Sequence, residues 1–202
     1  MKSKTKTVIL AMAAVFTILA IIFIFLYQIE KSSLRSTLAV TFCTTAYHFN
    51  IRLMIKNLLE HNKDSLSFKG GWFRVSPTEM KFYELIKVKK WKGKLPTYTP
   101  DDFNIHKHSL EEILQNMYVA EVGHELMIVA GYISLLFSFF TGDREGSFRI
   151  FLITASCAAL VELIFVIVQR YNRQRMFLAL QKWKNKRNFN EVSAYASFGK
   201  HF

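Results

Sequence analysis

The sequence predicts an all-α membrane protein: four transmembrane helices with a basic amphipathic interfacial segment on the cytoplasmic side. Three observations lead there. The chain has 202 residues, 51% of them apolar, with 19 Phe. Such a composition suits a small polytopic membrane protein better than a small soluble domain. Apolar runs long enough to cross about 30 Å of hydrocarbon recur four times. The basic excess, a net charge of +12, sits beside those runs. No nucleic-acid motif accompanies it, so a nucleic-acid partner is not expected.

The first run covers residues 8–27, "VILAMAAVFTILAIIFIFLY", without a charge. Lys2, Lys4 and Lys6 precede it like the basic start of a signal peptide. The apolar core is too long for one and no A-x-A site follows, so an uncleaved anchor helix is expected. The second run, 36–55, is mixed and includes His48, Asn50 and Arg52. The third, 117–140, and the fourth, 148–168, are joined by the polar turn "TGDREGS". The segment 56–116 and a basic tail from 169 to 202 complete a single integral membrane domain.

Lysine and arginine sort by segment. The N-terminal tail has 3, the middle segment 11 and the chain from Arg170 onward 8. The two remaining connections have 2 each. Four crossings put the rich segments on one side, and the positive-inside rule makes that side cytoplasmic, with both termini. The expected location is the cell membrane, multi-pass. His48 and Arg52 then lie near the cytoplasmic end of the second helix. Glu121, His124 and Glu125 lie in the first turns of the third, and Glu162 lies two turns before the fourth ends. Ionisable groups inside a span are costly and mark functional cavities. Their common shallow depth predicts one polar cavity open to the cytoplasm.

In the middle segment, the pair Gly70–Gly71 and "SP" are punctuation. "PTEMKFYELIKVKKW" reads as an amphipathic helix with Pro77 at its start and Phe82, Leu85 and Ile86 on one face. Trp72 and Trp91 among lysines suit a membrane surface. Cys43 and Cys157 each lie within an apolar run, without a CxxC or a paired framework, and read as buried small residues.

Three blocks occur in order: "KVKKWKGKLP" (87–96), "AExxH" (Ala120 to His124) and "QRYNRQR" (169–175). In these the chain resembles the bacterial glycosyl-4,4'-diaponeurosporenoate acyltransferase family, the last enzyme type of staphyloxanthin synthesis, over roughly residues 70 to 180. The resemblance implies a membrane-bound enzyme that moves a fatty acyl group to a sugar hydroxyl of a carotenoid glycoside. It implies no bound cofactor, with acyl-CoA or acyl carrier protein as co-substrate. The chain departs from the family pattern at Asn116 and Val119, where an acidic residue and an arginine are usual. It departs again at Glu162 and Ile164, in place of Asn and Pro, and at Gln174, in place of Pro.

Acyl transfer to an alcohol needs a base at the hydroxyl, and imidazole suits that role. His124 and Glu121 are therefore the candidate catalytic pair. Spaced i, i+3, they share a helix face, where the carboxylate can orient the ring. Glu125 points about 100° further round. His48 and Arg52 share a face, and Arg52 can pair with Glu121 or Glu162, or hold a ligand's phosphate. Arg170, Arg173 and Arg175 at the bilayer exit suit phosphates of headgroups or of an acyl carrier. A plain stop-transfer cluster would also explain their charge. With Gln169, Tyr171 and Asn172 in the family-like order, and Lys89, Trp91 and Lys92 in the basic block, they complete the candidate substrate-binding set beside His48, Arg52, Glu125 and Glu162.

A single Glu-x-x-His falls short of the two that a di-iron bundle needs. "HELMI" lacks the second His of a zincin. Zinc held by His48, His124 and a carboxylate stays open as an alternative, but no metal ligand is assigned. The expected partners are an acyl donor, a lipid acceptor and membrane lipids. The competing reading is a non-catalytic lipid-binding or assembly protein.

Overall fold

The computed structural model describes residues 4–63, 66, 71–97 and 99–198, with side chains as far as 187. Lys2 and Gly70, singled out above, lie outside the described residues. The described residues form helices and no strand. Helix α1 spans Lys4–Ile29 and α2 spans Ser33–His61. Two short helices follow, α3 (Pro77–Leu85) and α4 (Val88–Trp91). Then come α5 (Leu110–Ile133) and α6 (Arg144–Phe198).

The four long helices run up, down, up, down. Phe16 stacks on Phe49 at 5.7 Å and Phe23 on Phe42 at 5.0 Å, so α1 and α2 form an antiparallel hairpin. Its turn is closed by Ser32 capping α2 and by an Arg35–Glu30 ion pair of 2.6 Å. Tyr47 donates to the Ala130 carbonyl and Gln115 to that of Lys63, which sets α2 antiparallel to α5. A full capping box of Ser109 and Glu112 opens α5. After Ile133 the helix tightens into a 3-10 run, Ser134–Phe140, and returns as α6. Small residues of α1 (Ala13, Ala20) face inward, while Val8, Ile18, Ile21 and Phe25 are each more than half exposed. That outward apolar surface is what a lipid-facing helix presents.

Among the described residues three helices are long and apolar enough to cross a membrane: Lys4–Ile29, Leu110–Phe140 and Arg144–Arg187. The expected four thus become three by composition. The exception is α2, which has the length but not the hydropathy. Thr37, Thr41, Thr44, Thr45, His48, Asn50 and Arg52 dilute it. Thr41, Thr44 and Thr45 return their hydroxyls to carbonyls one turn back, at 2.7–2.8 Å, so these polar groups are satisfied within the helix.

Two other expectations change. The basic stretch from 169 is a continuation of the fourth helix: α6 runs to Phe198, 55 residues in all, because nothing after Gly146 interrupts it: the run has no Pro and no further Gly. The interfacial helix breaks in two at Lys87, which adopts a left-handed backbone (φ 55°). The break turns Tyr83 and Val88 inward onto Val168 and Tyr171 of α6, with Val75. Of the face expected to be shared, Ile86 packs against this small core, while Phe82 and Leu85 are 50% and 75% exposed.

Candidate active site

The ionisable residues form two separate clusters. In the inner one, three helices each give one side chain: Arg52 from α2, His124 from α5 and Glu162 from α6. His124 Nδ1 lies 2.6 Å from Glu162 Oε2. Arg52 donates through Nη2 to Glu162 Oε1. The Glu162 side chain is only 8% exposed, so both oxygens are engaged in a nearly dry site. Phe165, one turn after Glu162, stacks flat on the His124 ring, with centroids 4.9 Å apart and planes 9° from parallel. The ring is thereby fixed by an edge and a face. No hydrogen bond among the described residues reaches Nε2, and the side chain keeps 18% exposure. A nitrogen held in this way can take a proton from a hydroxyl while Nδ1–H donates to the carboxylate.

The outer cluster lies one turn nearer the start of α5. Glu121 is fully buried. Arg173 reaches it through Nε at 2.6 Å and Nη2 at 3.2 Å, and Arg170 through Nη1 at 2.8 Å. Both arginines also tie the interfacial segment to the bundle. Arg170 forks onto Glu79 of α3 at 2.7 and 3.2 Å and donates to the Trp72 carbonyl. Arg173, itself 2% exposed, donates to the Phe73 carbonyl at 2.5 Å and lies over the Tyr118 ring at 4.5 Å. Tyr83 adds its hydroxyl to Glu79. Burial would raise the Glu79 carboxyl, yet the Arg170 and Tyr83 hydrogen bonds hold it below its ordinary 4.5. Burial, reinforced by that carboxylate, pushes the Tyr83 hydroxyl well above its usual range, so it stays a donor.

This geometry corrects the expected pairing of Glu121 with His124. The two share a face, but Glu121 meets two guanidinium groups at its own level, whose charge-assisted forks take both of its oxygens. At the level of His124 the antiparallel α6 presents Glu162. Arg170 and Arg173, expected to hold a phosphate, are occupied by carboxylates and carbonyls. Glu125 receives Trp72 Nε1 at 3.0 and 3.1 Å. His48 packs against Gly131, where an added Cβ would stand 3.3 Å from its Cε1, about two turns along α5 from His124. Its Nε2 is buried without a partner among the described residues. The two imidazoles therefore do not converge on one zinc site, and no cluster of three potential metal ligands occurs among the described residues.

The remaining candidates sit at the rim. Tyr171 is buried, edge-on to Tyr83 at 6.3 Å, and Gln169 is half-buried. Trp91 Nε1 donates to the Ile86 carbonyl at 2.9 Å, Lys92 donates to Asn172 Oδ1, and Lys89 and Arg175 are exposed. Glu79 and Tyr83 escaped the sequence reading. Ser76-x-x-Glu79 looks like an ordinary helix cap, and nothing local shows that the carboxylate crosses to α6. Asn116, a departure from the family pattern, donates to the Asp102 carbonyl at 2.6 Å and holds the Pro100–Phe103 turn against α5.

Apolar helices of spanning length around a histidine–carboxylate pair define a membrane protein with an enzyme-like polar interior. The model of the glycosyl-4,4'-diaponeurosporenoate acyltransferase family matches residues 69–182, more than half of the chain. The chain belongs to that family and is an acyltransferase. The match includes His124, Glu162 and the whole outer cluster, and leaves out α1 and α2. Comparison with curated proteins and with solved structures gave no match.

Proposed function

We propose that this acyltransferase moves a fatty acyl group from a cytoplasmic thioester donor to a hydroxyl of an amphipathic lipid, with His124 as the base. His124 Nε2 takes the hydroxyl proton. The freed oxygen attacks the thioester carbonyl, the C–S bond breaks, and the leaving thiolate takes the proton back from Nε2. Glu162 positions the ring and stabilises its charged form. Arg52 pairs with Glu162 and supplies its counter-charge in a poorly hydrated site. The observation that supports this reading is the 2.6 Å His124–Glu162 contact on a ring whose other nitrogen is open.

In this reading α2 crosses the membrane as well, because it lies antiparallel along α5 and supplies Arg52 from within the bundle. Both termini and the interfacial segment are cytoplasmic, as the basic segments require. A glycolipid of the carotenoid-glycoside kind is the acceptor class that family membership favours. The test is turnover of purified protein with acyl-CoA and lipid extracts. His124→Ala should lose about 10²–10⁴ of the rate while the protein still accumulates. Undiminished turnover in that variant would remove His124 from the chemistry.

A further inference from the structure

The arginines that looked most like a phosphate site are taken up by carboxylates, but three other cations beside them are not. Lys89 and Lys92 lie three residues apart on the turn formed by α4 and the Lys92–Lys94 3-10 turn. Arg175 comes from α6. The left-handed step at Lys87 lays this turn across α6, with Val88 packed beside Val168 and Tyr171. Lys92 Nζ stands 5.1 Å from the Tyr171 ring centroid on its way to Asn172 Oδ1. The Arg175 guanidinium carbon stands 5.6 Å from the same centroid. Among the described residues no carboxylate pairs with Lys89, Lys92 or Arg175. Elsewhere Lys56, Lys107, Arg149 and Lys184 each have one. Burial, then the charges of Arg175 and Lys89, hold Lys92 below the ordinary lysine range.

We propose that Lys92 and Arg175, gathered around Tyr171 and Asn172, with Lys89 on the same turn as Lys92, form a binding site for a phosphate ester at the membrane surface. A half-buried ammonium crowded by two like charges is an unfavourable arrangement on its own. A phosphate relieves it by taking donors from all three cations at once. Tyr171 and Asn172 keep Lys92 in place while the site is empty. Two sources share this chemistry. One is the phosphate of a thioester donor's carrier arm, which rests on the acyl-transfer reading above. The other is a phospholipid headgroup, which does not.

Binding is measured by calorimetry in dodecyl maltoside, a phosphate-free detergent. The two probes are coenzyme A and dihexanoyl-phosphatidylglycerol. The proteins are wild type, Lys92→Gln, Arg175→Gln and Lys94→Gln, the last a surface charge outside the cluster. Arg175 is exposed, so its variant keeps the fold even if Lys92→Gln disturbs the Asn172 contact. Wild type should bind at least one probe, with affinity falling as salt rises. Lys92→Gln and Arg175→Gln should each weaken that binding about tenfold or more, and Lys94→Gln by less than about twofold. Loss for coenzyme A assigns the site to the donor. Loss for the lipid alone upholds the phosphate site while removing the donor from it. His124→Ala should bind like wild type, which separates this site from the chemistry. No binding of either probe, or equal weakening by all three cation variants, overturns the proposal.

Discussion

Arg173→Lys tests whether the arginines near the middle of the fourth long helix hold a ligand or hold the protein together. Arg173 is 2% exposed and makes three charge-assisted hydrogen bonds, two to Glu121 and one to the Phe73 carbonyl. An ammonium on a shorter, unforked stem keeps the charge but reaches one of these partners. Hydrogen bonds to charged groups are worth about 1.5–3 kcal/mol each. Two are lost, and the remaining charge recovers part of the deficit, so a destabilisation of about 3 kcal/mol is expected. That is more than a hundredfold in the folding equilibrium. Arg173→Ala goes further, leaving a fully buried Glu121 with Arg170 alone, and breaking such a buried pair costs about 3–5 kcal/mol. The assay is unfolding by dodecyl sulfate in mixed micelles, with trypsin sensitivity at Lys87, Lys89 and Lys90 as a local readout. Earlier unfolding and faster cleavage are expected in the Lys variant, with the donor KM unchanged in whatever fraction stays folded. A wild-type unfolding midpoint together with a raised donor KM would refute the structural role and return Arg173 to ligand binding.

Three further outcomes follow from the same geometry. Glu162→Gln should lower kcat by about 10²-fold or more at a nearly unchanged KM, whereas Glu121→Gln should lower stability first, and steady-state turnover of the two purified variants separates them. In a Cys43→Ala, Cys157→Ala background, Gly142→Cys, which sits in an open turn, should react with an impermeant maleimide from outside the cell, and Lys94→Cys should react only after permeabilisation; the reverse pattern would invert the topology. The Glu79 carboxyl is depressed in the folded state, so its contribution is complete above about 4.5 and is lost as pH falls through the lower folded value; trypsin-type cleavage cannot be followed there, but pepsin should cut the interfacial segment progressively faster below pH 4, and Glu79→Gln should remove that dependence.

Much of the bundle was legible because its signals are local. Apolar length gave α1, α5 and α6, and the turn "TGDREGS" gave their last reversal. The extent of α6 was hidden because polarity after Gln169 reads as an exit from the membrane. A helix outside the bilayer needs no apolar run, only the absence of Gly and Pro. The status of α2 was ambiguous for the opposite reason. Its threonines lower hydropathy while satisfying themselves against their own backbone, so a composition count sees polarity that the helix does not present. The site residues were legible as a set but not as pairs. His124, Glu162 and Arg52 were all candidates, yet which carboxylate meets the imidazole depends on the register of α5 against α6. That register is set by packing along the whole interface, and no short motif encodes it.

Charge balance then separates roles that the sequence could not. The inner cluster has one arginine against one carboxylate, with an imidazole added. The outer cluster has two arginines against two carboxylates, Glu121 and Glu79. Both are self-sufficient, which is how buried charges persist in a poorly hydrated interior. The inner one differs in the proposed reaction, where His124 takes up a proton in passing while a negatively charged intermediate stands beside it. Among the described residues no carboxylate offsets Lys89, Lys92 or Arg175, and the proposed phosphate site rests on that imbalance. Three groups of cations within a few turns of "QRYNRQR" thus divide by their counter-ions: Arg170 and Arg173 meet Glu121 and Glu79, Arg52 meets the carboxylate that also contacts His124, and Lys92 with Arg175, in the proposal above, meet an anion from outside the chain.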